Sequence, residues 1–190
     1  MPLPLLRQKL ASPPAWGEFV ARPRLAGSLD QALAQAQHVA LGAGSAYGKT
    51  SLVADWVRGR PCAWVTLDAE DAALDVFLAY VIAACERALP GFGTEASGLL
   101  GRAQEREGAF AALSALLADL DEQVEDPLPL VLDDYHLAAS PSLDALVARM
   151  LKYLPAQVRL VLIARRQPGI ELAALQARRA VVLLDEAALA

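Results

Sequence analysis

Residues 43–50 read Ala-Gly-Ser-Ala-Tyr-Gly-Lys-Thr and join an apolar run, residues 38–42, to a segment with helical periodicity. A loop that ends in Gly-Lys-Thr and lies between a strand and a helix is typical of phosphate binding. In such a loop, successive backbone N–H groups and the positive end of the helix bind the β-phosphate, while the lysine ammonium reaches the β and γ oxygens. The chain must therefore fold so that a buried strand leads through a tight loop into a helix.

Two features of this loop bear on its assignment. Ala43 stands where the general pattern has its first glycine, and Gly44 follows one position later. Lys49 is one of three lysines in a chain with 14 arginines, and a planar guanidinium does not fit a loop that surrounds a compact ammonium. The alternative is a Gly-Lys-Thr turn that only caps a helix. The predicted nucleotide-binding residues are Gly44, Ser45, Ala46, Tyr47, Gly48, Lys49, Thr50 and Ser51.

A second apolar run, residues 130–132, ends abruptly in two carboxylates, Asp133 and Asp134. This arrangement resembles a Walker B strand. We predict that Asp133 and the Thr50 hydroxyl hold Mg²⁺, and that Asp134 orients or polarises the water that attacks the γ-phosphate. The alternative is a strand that ends in an ordinary acidic turn.

A third apolar run, residues 160–164, ends in Arg165. An arginine at this position can sense the γ-phosphate, because a guanidinium forms strong charge-assisted hydrogen bonds with phosphate oxygens. Arg166 follows directly, and one of the two arginines can instead only solvate the strand end. We predict that Arg165 is the catalytic one.

Five short apolar runs alternate with longer segments of helical periodicity. The runs are continuously apolar, which is typical of strands covered by helices on both faces of a parallel sheet. The predicted strands are residues 38–42, 62–67, 128–132, 160–164 and 181–184. The predicted helices are residues 28–37, 50–58, 73–89, 108–124, 142–154 and 170–178. This alternation predicts a three-layer α/β/α sandwich with a mostly parallel five-stranded sheet, whose ligands bind at the carboxyl ends of the strands.

The chain is predicted to divide into a lead-in, residues 1–35, and a nucleotide-binding core, residues 36–190. Prolines punctuate the lead-in, so it is predicted to be mostly irregular before its short helix. Residues 91–101 are predicted to form a long surface loop. The strand at 181–184 lies close to the last residue, which suggests a fragment of a longer chain.

Composition excludes several classes of function. The net charge is -5 and the sequence pI is about 5.0, whereas nucleic-acid binding needs a basic surface that neutralises phosphates. Cys62 and Cys85 lack the spacing of a zinc site or a disulfide framework. No apolar run approaches the roughly 18 residues of a membrane helix. We therefore expect a cytoplasmic protein with reduced thiols, no membrane contact and no direct DNA contact from this chain.

Beyond these motifs, the chain resembles the nucleotide-binding domain of the STAND class of P-loop NTPases, specifically that of the large ATP-dependent LuxR-type transcriptional regulators. The resemblance rests on Tyr-Gly-Lys-Thr at 47–50 and on residues 5–10, 20–25, 63–68, 130–137 and 164–168. That family usually begins its loop with a small residue other than glycine, as Ala43 does here. Its usual Pro-Ala pair is replaced by Gly44 and Ser45, and Gln167 replaces an aspartate.

The resemblance implies more than periodicity can give. It implies strand order 5-1-4-3-2, an adenine pocket lined by residues 20–25, and a position for Arg22 near the base or phosphates. It also implies ATP and ADP as ligands, slow hydrolysis that resets a switch, self-association on ATP binding, and further C-terminal domains in the same protein.

Two other functions stay open at this point. A small-molecule kinase uses the same loop, although no arginine-rich lid is evident between the fourth and fifth strands. A vestigial site would leave an interaction module that neither binds nor hydrolyses nucleotide, and the departures at Ala43, Gly44 and Gln167 are consistent with it.

Overall fold

Five parallel strands form one sheet at the centre of the protein. The computed structural model describes residues 4–14, 23–45 and 47–189. The strands are β1 (His38–Gly42), β2 (Ala63–Thr66), β3 (Leu128–Asp133), β4 (Val158–Ala164) and β5 (Val181–Leu184). Their order is β2-β3-β4-β1-β5, and every pairing is parallel. The expected order and the three-layer fold class are both confirmed.

Helices cover both faces of this sheet. They are α1 (Pro23–Gln35), α2 (Lys49–Trp56), α3 (Leu74–Ala88), α4 (Ala96–Leu99), α5 (Arg106–Gln123), α6 (Pro141–Tyr153), α7 (Leu172–Ala177) and α8 (Glu186–Leu189). Short 3-10 turns occupy Arg7–Leu10, Ala69–Ala72, Leu100–Arg102 and Tyr135–Leu137. Within the described residues, no helix is long and apolar enough to cross a membrane.

The strands are continuously apolar because each face of the sheet has its own core. Along β1, Val39 and Leu41 pack with α1, α2 and α8, whereas Ala40 packs with the larger cluster formed by α3, α5 and α6. Successive strand side chains point to opposite faces, so a strand buried on both sides carries no polar alternation. All six residues of β3 are buried.

Local sequence explains where individual helices begin. The Ser140 hydroxyl accepts a hydrogen bond from the Leu143 N–H at 3.2 Å, and Pro141 occupies the first turn of α6. A hydroxyl side chain before the helix and a proline at its first position are both typical of helix starts. Buried residues then recur every three or four positions along α6.

Two sequence predictions differ from the structure, and one element was not predicted. Helix α1 begins at Pro23 rather than at residue 28, because a proline at the first helical position costs no hydrogen bond. The predicted loop at residues 91–101 contains α4, whose Ala96 is buried. The chain after β5 forms the short helix α8.

The described part of the lead-in is held to the core by a charged contact. The Lys9 ammonium lies 2.6 Å from Asp68 Oδ2 and 2.8 Å from Asp71 Oδ2. Asp71 is buried, and the Leu6 N–H donates to the Tyr80 hydroxyl at 3.2 Å. These contacts hold residues 6–10 beside α3, and the 3-10 turn Arg7–Leu10 is the one regular element within residues 4–14.

Candidate functional site

Three neighbouring strands carry the predicted site to one edge of the sheet. β3 ends at Asp133, β4 ends one residue before Arg165, and β1 ends where the loop begins. Because β4 lies between β3 and β1, the motifs that are far apart in sequence meet at the carboxyl ends of adjacent strands. This edge is where ligands bind in open α/β sheets.

The loop turns into α2 through a glycine in the left-handed region. Gly48 has φ 68° and ψ 25° and precedes the first residue of α2. The Gly48 carbonyl accepts the Leu52 N–H at 2.8 Å, so the helix is hydrogen-bonded from its first turn. A side chain at this position would be strained, since residues other than glycine rarely adopt positive φ.

The Lys49 ammonium lies inside the loop rather than in solvent. It donates to the Ala43 carbonyl at 2.6 Å and to the Gly44 carbonyl at 2.7 Å, and Lys49 as a whole is buried. Burial, and then the charge of Arg165, lower the pKa of Lys49, although nearby carboxylates oppose this shift. Within the described residues, the hydrogen-bond acceptors of the Lys49 ammonium are these two backbone carbonyls.

Thr50 and Asp133 meet across 83 positions of sequence. The Thr50 hydroxyl donates to Asp133 Oδ1 at 2.9 Å. Burial raises the pKa of Asp133 to about 6, since a charged carboxylate is disfavoured away from water. A hydroxyl and a carboxylate brought together in this way are the hard oxygen ligands that Mg²⁺ prefers. The donor set present in the protein fits that ion.

Asp134 occupies an unusual backbone conformation directly after β3. Its φ is 53°, in the left-handed region, and its N–H donates to Asp133 Oδ1 at 3.0 Å. Aspartate tolerates this region better than most residues. The turn aims successive carboxylates in different directions, so that Asp133 is buried while Asp134 keeps about a third of its side chain exposed.

His136 is a site residue that the sequence analysis did not single out. Its side chain is 9% exposed, and Nδ1 lies 3.9 Å from Asp134 Oδ1. Burial lowers the pKa of His136, and the Asp134 charge opposes that shift. The available signal was a titratable residue two positions after Asp134, but the sequence alone does not show that its ring turns back towards the carboxylate.

Arg165 and Arg166 are both exposed at the end of β4. The positive charge of Arg165 contributes to the lowered pKa values of both Lys49 and His136, and that of Arg166 contributes to the lowered pKa of His136.

The remaining predicted residues are spread around the loop. Ser45 and Ser51 are exposed, and Tyr47 is half-buried against the core that contains α1 and α2. The Gly44 N–H donates to Glu186 Oε1 at 3.0 Å, a contact that no local pattern could reveal. Ala46 and Arg22 lie outside the described residues.

A cavity of about 600 Å³ opens beside α2. Its lining includes Thr50 and Ser51 from the first turn of α2, and Asp55, Arg58, Arg60 and Arg87 contribute charged side chains. The lining therefore carries three guanidinium groups and one carboxylate, and Arg58 and Asp55 form an ion pair at 3.1 Å.

The chain is similar to known proteins in sequence and in fold. No family model matches the chain. Among curated proteins, it is 33% identical over 178 residues to the HTH-type transcriptional regulator MalT of Serratia proteamaculans, covering 92% of this chain and 19% of that protein. It is 32% identical to MalT of Klebsiella pneumoniae, over 92% of this chain and 19% of that protein. It is 30% identical to MalT of Cronobacter sakazakii, over 98% of this chain and 20% of that protein. The chain thus spans about a fifth of the length of these relatives.

Among solved structures, a Walker-type ATPase of Pyrococcus abyssi matches with a TM-score of 0.58 and 14% identity, over 88% of this chain and 54% of that one. At this identity the match concerns the fold alone.

Proposed function

Because the chain is a MalT-like P-loop domain, we propose that it binds ATP and ADP and hydrolyses ATP slowly, as the nucleotide switch of a longer transcriptional regulator. The observation that carries the proposal is the convergence of Lys49, Thr50 and Asp133 at the ends of adjacent strands, with the Thr50 hydroxyl 2.9 Å from the Asp133 carboxylate. A turn that only capped a helix would have no reason to meet a buried carboxylate from another strand.

The loop supplies the groups that bind phosphate. The Lys49 ammonium would leave the carbonyls of residues 43 and 44 in part and donate to the β and γ oxygens. Backbone N–H groups of the loop and the first turn of α2 would bind the β-phosphate, with Gly48 allowing its close approach. Thr50 and Asp133 would hold Mg²⁺, which when bound offsets phosphate charge and polarises the γ-phosphoryl group.

Hydrolysis requires an activated and oriented water. Asp134 would accept a hydrogen bond from that water, and accept its proton as the oxygen attacks the γ-phosphorus. The bond between the γ-phosphorus and the bridging oxygen breaks, and ADP leaves with the electron pair. His136 Nδ1 lies 3.9 Å from Asp134 Oδ1. Arg165 would donate to the γ-phosphate oxygens as their charge rises.

The switch role concerns the rest of the protein. We propose that Arg22 lies near adenine, that further C-terminal domains of the same protein sense an inducer and contact DNA, and that ATP binding promotes self-association. The domain itself would act in the cytoplasm without touching DNA. The match over a fifth of the MalT proteins supports the presence of other domains.

A kinase is the second candidate, because three arginines, Arg58, Arg60 and Arg87, line the same cavity beside α2 as Thr50. A phosphorylatable anion bound there would be the acceptor. One measurement distinguishes a kinase from a switch domain. A kinase consumes ATP only when an acceptor is supplied, whereas a switch domain releases phosphate slowly with water alone.

The test is a calorimetric titration with ATP and then with ADP, each with and without Mg²⁺. Lys49→Ala is expected to abolish tight binding, since it removes the ammonium that reaches the phosphates. Lys152→Ala, which removes an exposed lysine from α6, is the matched control and should bind like the unmodified protein. Equal affinity in the Lys49 and Lys152 variants would refute the loop assignment, and no binding in any of the proteins would favour a vestigial site.

A further inference from the structure

The phosphate loop is bonded to a residue from the far end of the described chain. Glu186 is the first residue of α8, and its Oε1 accepts the Gly44 N–H at 3.0 Å. The two residues are 142 positions apart. A Cβ built on Gly44 would lie 3.3 Å from the same carboxylate oxygen, so the carboxylate lies close against the loop backbone.

Gly44 connects this carboxylate to the lysine of the loop. Its N–H is bonded to Glu186, and its carbonyl accepts the Lys49 ammonium at 2.7 Å. One residue therefore links an acid on one side to a cation on the other. The negative charge of Glu186 also favours the protonated form of Lys49 and so opposes the lowering of its pKa by burial.

Helix α8 is itself held firmly enough to place this carboxylate. Leu189 is 2% exposed and packs in the core that contains α1 and α2. The Asp185 carboxylate accepts the Ala188 N–H at 3.1 Å, and the Asp185 carbonyl accepts the Leu189 N–H at 3.1 Å. Glu186 thus projects from a short turn that is capped at one end and buried at the other.

We infer that Glu186 is a positioning residue for the phosphate loop: it holds the peptide of Gly44 in the conformation that presents Lys49 to phosphate, and it ties α8 to the nucleotide site. The inference rests on the proposed nucleotide binding. A loop held in advance binds its ligand with less loss of conformational entropy. Loosening the first peptide of the loop therefore weakens nucleotide binding without removing any group that contacts phosphate.

The test compares three variants by calorimetric titration with Mg²⁺ and ATP. Glu186→Ala removes the acceptor and is expected to weaken affinity by about 3- to 10-fold, the range of one net hydrogen bond. Glu186→Gln keeps an acceptor oxygen and should stay within about 2-fold of the unmodified protein. Asp185→Asn makes the same change of charge one residue away, keeps an acceptor for Ala188, and should leave affinity unchanged.

Three results would overturn the inference. Unchanged affinity in Glu186→Ala would show that the contact does not hold the loop. Equal losses in the Ala and Gln variants would show that the acceptor oxygen is irrelevant. Tighter binding in both variants would show that the carboxylate acts through repulsion of phosphate rather than through position.

A measurement without nucleotide separates this inference from the proposed function. The Gly44 amide proton should exchange with solvent at least about 3-fold more slowly in the unmodified protein and in Glu186→Gln than in Glu186→Ala. Equal exchange in all three proteins would refute the positioning role, even if ATP binds. If the unmodified protein binds no ATP and the exchange difference is present, the proposed function fails while the contact between α8 and the loop stands.

Discussion

Replacing His38 should change how the stability of the domain depends on pH. His38 lies in β1, it is 0% exposed, and its Nδ1 accepts the Leu160 N–H of the neighbouring strand at 3.1 Å. Burial lowers the pKa of His38 from 6.5 to about 4, and the charge of Arg159 acts in the same direction. The folded protein therefore keeps this ring neutral at pH values where the unfolded chain protonates it.

The sign and size of the effect follow from linkage. A lowered histidine pKa means that the stability is fully present above about pH 7 and is lost as pH falls from 6.5 towards 4. The free energy of unfolding should fall by about 1.8 kcal/mol between pH 7 and pH 5, and the total loss would approach about 3.4 kcal/mol only at pH values well below 4. Protonation of His38 Nδ1 would also remove the acceptor for the Leu160 N–H. The loss of this hydrogen bond lowers the free energy of unfolding at low pH as well.

The assay is urea unfolding at pH 7, 6 and 5, followed by tryptophan fluorescence and far-UV circular dichroism. His38→Asn keeps a side-chain acceptor near the Nδ1 position but cannot be protonated in this range. Every other titrating group is shared, so the difference between the two pH profiles isolates His38. A difference that changes by less than about 0.5 kcal/mol between pH 7 and pH 5 would refute the argument that burial keeps the ring neutral.

Two further outcomes can be measured on the same protein. Asp134→Asn should lower the rate of phosphate release from ATP by at least about 10-fold and change ATP affinity by less than about 3-fold. The reason is that the substitution removes a proton acceptor but no phosphate contact. Equal losses of rate and affinity would instead show that Asp134 is a structural or metal-holding residue. Gly48→Ala should lower the free energy of unfolding, measured in urea, by about 1–2 kcal/mol, because residue 48 has a positive φ. Gly27→Ala in α1 should raise the free energy of unfolding by roughly 0.5–1 kcal/mol. The opposite ranking of the two variants would contradict the backbone conformation at residue 48.

Local patterns predicted much of this fold because each of them records a local physical requirement. The continuous apolar runs predicted strands buried on both faces, and all residues of β3 are indeed buried. The lateral order of the strands was a different matter. Hydrophobic periodicity does not determine which strands are neighbours in a sheet. The position of β4 between β1 and β3 was therefore predicted only from the resemblance to a known family.

The site divides in the same way. Lys49, Thr50 and Asp133 could be predicted because each follows a strand at a position that a motif defines. The contact of Glu186 with Gly44 could not be predicted, since two acids follow β5 and no pattern marks one of them as a partner of the loop. The early start of α1 at Pro23 was missed because proline was treated as a breaker, although its first-turn position is compatible with a helix.

The electrostatic balance of the site bears on what it binds. Three carboxyl groups, those of Asp133, Asp134 and Glu186, and one guanidinium, that of Arg165, influence the Lys49 ammonium. Within the described residues, these carboxylates act on the same lysine that would bind the triphosphate, and burial already raises the pKa of Asp133. In a site of low polarity, like charges repel each other more strongly than they do in water. A bare triphosphate should consequently bind more weakly than one accompanied by a divalent cation, and the titrations without Mg²⁺ measure how far this balance controls entry to the loop.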